Sequence, residues 1–321
     1  MTEPVPPASR VPQPVIIDTD PGIDDVLAIW LALHSPELEV RGISISYGNT
    51  TVAHAYRNAV EVLRRAGRRL TLAVGARRPL RRPLAVALET HGGSGFGYAE
   101  LPPAGVALDW VMPFDRLLAG QPEPVTLVTL GPVTSLAHAI HRDPALVRAK
   151  VKRCIAMIGT LAAPGNTTPY TEFNAWCDPE ALETVLRAEL PIDLVGLDVT
   201  RQFVLRAEEI ERLGQAPDGL AHWFHDALRF YLEFHRKYEG LDGCVINDVL
   251  PIAALIQEDA LEFQPQRVAV DLETGDHRGR TRIDPEGYRV RVATAVRTEP
   301  VRALLVERVL PWAEAPAASP A

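Results

Sequence analysis

Asp18, Asp20, Asp24 and Asp25 place four carboxylates within eight residues, in the stretch VIIDTDPGIDDVLAIW. An apolar strand runs into Asp18, a turn carries Asp20, Pro21 and Gly22, and a helix opens with Asp24 and Asp25. Carboxylates this close repel one another, and a hard cation held by oxygen ligands removes that cost. Each residue also has a plainer use. Asp24 or Asp25 alone would offset a helix dipole, and Asp20 alone would form a turn beside proline. Capping needs one carboxylate, so four in this order point to a calcium or magnesium site at a strand-to-helix junction.

Other polar groups could meet that site. The segment GNTTPYTEFNAWCDPE, 165–180, offers Asn166, Glu172 and Asn174. Amides and carboxylates together donate to and accept from sugar hydroxyls, although either Asn alone serves equally as a turn residue. Asp178 before Pro179 reads as a helix N-cap. Asn49 follows a strand, and Asn247-Asp248 opens a helix after Gly243. His91 begins a glycine-rich run, HGGSGFG, that reads as a mobile loop or lid; it lacks the GK[ST] ending of a phosphate cradle. Tyr231 and His235 stand at i, i+4 and share a helix face. His222 and His225 have neither that spacing nor an HExxH motif, so a zinc site is not expected there.

The elements that must position these groups alternate. Strands are expected at 15–18, 40–46, 70–74, 125–130, 154–159 and 192–196, with helices at 26–33, 51–66, from 132 to 141, and from 178. A long helix follows at 218–238 and a shorter one after 248. Two strands, 266–272 and 287–293, precede a last helix from 299. Alternation with continuous apolar strands predicts an α/β fold: a mainly parallel central sheet covered by helices on both faces, Rossmann-like. Ligands then sit at the carboxyl ends of the strands, where Asp20, Asn49, the 130–134 turn and the 160–177 loop all fall. A single domain over 14–312 is expected, with flexible proline-rich or alanine-rich tails at 1–13 and 313–321.

Composition narrows the function. The chain has 321 residues, 47% hydrophobic, with a formal net charge of −8. Acidic and basic residues are mixed, which gives no footprint for nucleic acid or an anionic membrane. No secretory signal and no span of roughly 18 apolar residues is present. Cys154, Cys177 and Cys244 lack metal or redox spacing and read as small buried residues. A reduced, cytoplasmic location fits.

The segment Asp18-Thr19-Asp20-Pro21-Gly22-Ile23-Asp24-Asp25 resembles the DxDPGxDD signature of the nucleoside hydrolases, the inosine–uridine-preferring enzymes and their relatives. Gly165-Asn166, Glu172-Phe173-Asn174 and Asp178-Pro179-Glu180-Ala181 are similar to that family's GN…EFN…DPEA pattern. The resemblance implies calcium-dependent hydrolysis of ribonucleosides to ribose and free base, within nucleoside catabolism or salvage. It implies a Ca2+ site made by Asp20, Asp25, Asp248 and the Leu130 carbonyl, with Asp20 as the general base. Leu130 stands where the family has Thr, which matters little if only the carbonyl binds. Asp24, Asn49, Asn166, Glu172 and Asn174 would grip the ribose, with Phe173, His91 and Tyr231 lining the pocket. A homodimer or homotetramer is the implied assembly, with a small nucleoside as the partner molecule.

The base end departs from the pattern. Where family members carry His as the leaving-group acid, or Trp stacked on the base, this chain has Asn247. An amide delivers no proton at neutral pH, though it can hydrogen-bond a base. His235 reads either as the displaced acid or as a solvated surface histidine, and Asn247 and His235 join Asp20 as candidate catalytic groups. Asn247 also favours a second class of function, a ribose- or nucleoside-binding protein of the same fold without turnover. A haloacid-dehalogenase-like phosphohydrolase shares the Asp18-x-Asp20 pattern, but Pro21-Gly22-Ile23-Asp24-Asp25 fits its continuation poorly.

Overall fold

The computed structural model describes residues 11–103 and 108–314. The tails expected at 1–13 and 313–321 fall mostly outside the described residues; within them, Gln13 already belongs to the first strand and Ala313 to a closing turn.

Nine strands form one sheet. They are β1 (Gln13–Thr19), β2 (Leu38–Ile45), β3 (Leu72–Val74), β4 (Val125–Thr129), β5 (Val151–Met157), β6 (Ile192–Val195), β9 (Leu261–Val270), β10 (Thr281–Ile283) and β11 (Tyr288–Val296). The order across the sheet is β10-β9-β11-β6-β5-β4-β1-β2-β3. From β3 to β11 every pairing is parallel; β9 alone runs against its neighbours. The expected mainly parallel α/β sheet is therefore present. Ile17 pairs with Ile43 of β2 on one side and Val128 of β4 on the other. The chain winds outward in opposite directions from β1 and β4, so a crevice opens where their carboxyl ends part.

Strand alternation feeds two apolar layers. Val15 and Ile17 face one with Leu27, Phe224 and Leu250; Ile16 faces the other with Leu136 and Leu182. The first layer holds the helices Ile23–Leu33, Gly219–Phe234 and Val249–Ile256. Every residue of Ile23–Leu33 is buried, since it lies between the sheet and the helix Val249–Ile256. That packing brings Asp24 and Asp25, in one first turn, beside Asp248 at the start of the other helix.

Several short elements escaped the sequence pattern. β7 (Val204–Arg206) and β8 (Gly243–Val245) form a separate antiparallel ribbon, each too short to show a period of two. β9 begins at Leu261, five residues before the expected 266, because its exposed first half alternates weakly. The helix expected at 218–238 is α-helical to Phe234 and continues as a π turn, His235–Glu239. The three cysteines are free and buried. Among the described residues, no helix is long and apolar enough to cross a membrane.

Candidate active site

Asp20 leaves β1 and is fully buried. Its Oδ2 accepts the Asn49 backbone N–H at 2.6 Å, while Oδ1 has no hydrogen-bond partner among the described residues. Gly48 and Gly131 wall it in. A β-carbon at Gly48 would overlap Oδ2, and one at Gly131 would overlap Oδ1. Only glycine lets both loops approach this carboxylate, and the bare Oδ1 ends against the Leu130–Gly131 segment.

Asp25 is the best-satisfied member of the group. It accepts from Thr19 Oγ1, from the Gly22 N–H at 2.9 Å and from Asn49 Nδ2 at 2.7 Å. Asn49 thus straps Asp20 to Asp25. Asp24 Oδ2 accepts from Asn247 Nδ2 at 3.3 Å and Tyr231 Oη at 3.5 Å. Carboxylate oxygens of Asp24, Asp25 and Asp248 all lie within 4.8 Å of one another. Asp20 stands outside that closest trio and joins it through Asn49. Asp18, the fourth carboxylate of the sequence motif, is turned away: it is buried beside the Ser44 and Ser135 hydroxyls and does not line the cleft.

The clustered carboxylates raise one another's pKa values. Burial pushes Asp20 well above the carboxylate range, and Asp25 and Asp24 push it further. Burial and Asp25 raise Asp24 to about 7. Burial, then Asp24, Asp25 and Asp20, raise Asp248. The charges acting on each of these groups are the other carboxylates. Two helix N-termini face them and help, but a half-charge each cannot offset four carboxylates. An all-oxygen donor set with one orphaned buried oxygen suits a hard divalent cation.

Across the cleft, Glu172 caps the short helix Phe173–Cys177 inside the expected loop. It accepts from the backbone N–H groups of Gly159, Asn174 and Ala175, while burial raises it to about 7. Asn174 Nδ2 donates to the Leu130 carbonyl at 2.8 Å and to the Met157 carbonyl at 2.9 Å. A carbonyl has two lone pairs, so Leu130 keeps one for another partner. Asn166 Oδ1 accepts the Phe173 N–H, which leaves its amide N–H groups free. Asp178 is the expected N-cap, accepting from Ala181.

One cleft is lined by Asp24, Asn49, His91, Leu130, Asn166, Glu172, Phe173, Asn174, Tyr231, His235, Asn247 and Asp248. The structure therefore brings the expected residues together, except that buried Asp20 and Asp25 lie behind the lining. Met157, Thr90, Arg201, Phe234 and Glu239 also line it and were not expected. They lie on segments with no motif, and only the fold reveals them. Trp176 and Trp223 line no part of it; Trp223 packs in the core against Phe96.

The acid role expected for His235 meets a committed ring. Nδ1 lies 2.8 Å from the Tyr231 carbonyl and must donate to it, and Nε2 accepts the Val245 N–H at 3.3 Å. Burial lowers its pKa further. Glu239 Oε2 lies 3.9 Å from Nε2. Asn247 Oδ1 is buried without a partner, because its amide nitrogen is turned to Asp24.

Known proteins are similar to this chain in sequence and fold. Residues 15–303 match the family model described as inosine-uridine preferring nucleoside hydrolase. A pyrimidine-specific ribonucleoside hydrolase, RihA of Citrobacter koseri, is 36% identical over 276 residues, covering 84% of this chain and 88% of that protein. The solved plant nucleoside hydrolase PpNRh1 is 31% identical, with a TM-score of 0.83 over 92% of this chain and 98% of that one. A purine-preferring ribonucleoside hydrolase from Gardnerella vaginalis is 27% identical, with a TM-score of 0.83 over 94% and 99%. With its DxDPGxDD strand end, its carboxylate cluster and its sheet order, the chain belongs to the inosine-uridine preferring nucleoside hydrolase family and is an N-glycosyl hydrolase.

Proposed function

We propose that this chain hydrolyses the N-glycosidic bond of ribonucleosides with a bound calcium ion, releasing ribose and free base. The observation that carries the metal is the buried, partnerless Oδ1 of Asp20 facing the Leu130–Gly131 segment. Asp20, Asp25, Asp248 and the Leu130 carbonyl would hold the ion. When bound, it would offset the clustered charge and lower the pKa of a water.

The chain's own groups then supply the rest. Asp20 takes the proton of the attacking water as general base. Asp24, Asn49, Asn166, Glu172 and Asn174 hold the ribose hydroxyls, and that orientation lowers the barrier to an oxocarbenium-like transition state. Asn247 and Tyr231 steady Asp24 rather than protonate the base. Phe173 and Tyr231 wall the cleft against water.

The test is base release from inosine, adenosine, guanosine, uridine and cytidine, with and without a calcium-stripping chelator. Release that stops with chelator and returns with calcium supports the reading. No release from any of the five while calcium stays bound would favour a nucleoside-binding protein or a substrate outside the panel. One relative is described as pyrimidine-specific and another as purine-preferring, which makes the panel informative for base choice as well.

A further inference from the structure

We propose that His91 acts as a neutral hydrogen-bond donor to the departing base, steadying a ring carbonyl through Nε2–H without surrendering its proton. The proposal deepens the hydrolase reading and rests on it. His91 ends the short helix Leu88–His91 and lines the cleft, its ring 5.3 Å from that of Tyr231.

The tautomer is fixed by the main chain. Ile23 opens the helix Ile23–Leu33, and its backbone N–H lies 3.0 Å from His91 Nδ1. That N–H is one of the first-turn donors a helix cannot satisfy internally. An amide N–H only donates, so Nδ1 carries a lone pair and the ring proton sits on Nε2. The positive end of the helix opposes an imidazolium there. Burial acts in the same direction, and His91 is lowered to about 3. Gly22 makes the contact possible, since a β-carbon there would lie 2.6 Å from Nδ1. Among the described residues Nε2 has no partner, and it is left to the cleft.

Three neighbouring polar groups each spend a hydrogen elsewhere. Asn247 Nδ2 and Tyr231 Oη donate to Asp24, and His235 Nδ1–H donates to the Tyr231 carbonyl. When the bond between C1′ and the base nitrogen breaks, its electron pair moves onto the base and spreads to a ring carbonyl oxygen. His91 Nε2–H donates to that oxygen. Water supplies hydroxide to C1′ and one proton to Asp20, and the base anion takes its proton from solvent after departure. A neutral imidazole at a helix N-terminus is suited to this electrophilic role. The favoured substrates are then nucleosides whose base carries a ring carbonyl, such as uridine or inosine, over adenosine.

The experiment compares His91→Ala and His91→Gln with wild type on uridine, inosine and p-nitrophenyl riboside, whose leaving group needs no help. Removing one such donor should cost about 100-fold in kcat/KM on the carbonyl-bearing nucleosides and under about 3-fold on the nitrophenyl riboside. Glutamine can accept the Ile23 N–H with Oε1 and donate with Nε2, so it should recover at least about 10-fold of the loss. A proton-donating role predicts no such recovery. His91→Gln as inactive as His91→Ala, equal losses on all substrates, or no loss at all would each overturn the proposal. If His91→Ala fails to fold, the His91→Gln comparison on the same substrates still decides it. Wild type that cleaves neither nucleosides nor the nitrophenyl riboside would overturn the hydrolase reading beneath it, a result distinct from a silent His91 in an active enzyme.

Discussion

The backbone N–H of Asn49 holds one oxygen of Asp20 at 2.6 Å and leaves the other bare inside a closed wall of backbone. A carboxylate so placed is aimed by its surroundings, and under the proposed reading its free oxygen meets both the ion and the water whose proton it takes. Asp20→Asn keeps the shape and the Asn49 contact but removes the basic oxygen. Turnover should fall by about 10³-fold or more, with the thermal midpoint little changed in chelator. Steady-state kinetics on the best nucleoside checks this; near-normal kcat would remove Asp20 as the base.

Gly131→Ala tests the same carboxylate from outside. The new β-carbon would overlap Asp20 Oδ1, which is enclosed and cannot swing away without losing Asn49. We expect calcium affinity to fall by at least about 10-fold, as for loss of a supporting contact around a metal ligand. Calcium titration by calorimetry reads this directly. Unchanged affinity would mean that Oδ1 does not face the ion.

The carboxylate and amide end of the cleft was legible because its residues are crowded into short motifs at strand ends. Asp20, Asp24, Asp25, Asn166, Glu172 and Asn174 could be placed from spacing and from the alternation that predicts a parallel sheet. Asp248 joined them only through the family resemblance, because its nearness depends on two buried helices packing together. The opposite end of the cleft was poorly legible for a physical reason. Arg201 follows the short helix Leu197–Thr200 and Glu239 ends a π turn, and neither leaves a periodic signal; Phe234 closes the α-helical part of the long helix, where nothing marks it as facing the cleft. The state of His91 was also hidden, since it is set by a backbone N–H sixty-eight residues away.

Metal removal should couple to pH. Burial raises Asp24 and Glu172 to about 7 in the folded chain, above the ordinary carboxylate range near 4. Between those limits the folded state binds more protons than the unfolded one. In the metal-free chain these two groups therefore contribute stability that is full below about pH 4 and is lost as pH rises to about 7. Calcium needs the ionised carboxylates, so its binding strengthens over the same range. The calcium-induced rise in thermal midpoint should be larger at about pH 7.5 than at about pH 5.5. Calorimetry with and without chelator measures both, and an equal rise at the two pH values would place the ion elsewhere.

His235 separates a proton donor from a brace. Its Nδ1 is spent on the Tyr231 carbonyl and its Nε2 receives the Val245 N–H, so the ring ties the end of the long helix to β8. An acid would need a proton on Nε2, which would set it against the Val245 N–H; Glu239, 3.9 Å away, is the carboxylate placed to compensate. Desolvation opposes that charge, and the pKa is lowered. The bonding predicts that His235→Ala lowers kcat/KM by similar factors on inosine and on p-nitrophenyl riboside, about 10-fold each, with a lower thermal midpoint. A loss confined to inosine, accompanied by disappearance of an alkaline limb in the pH profile, would instead make His235 the leaving-group acid. Glu239→Gln then decides between them independently: it should leave a brace untouched, and it should remove the charge that an acidic His235 would require.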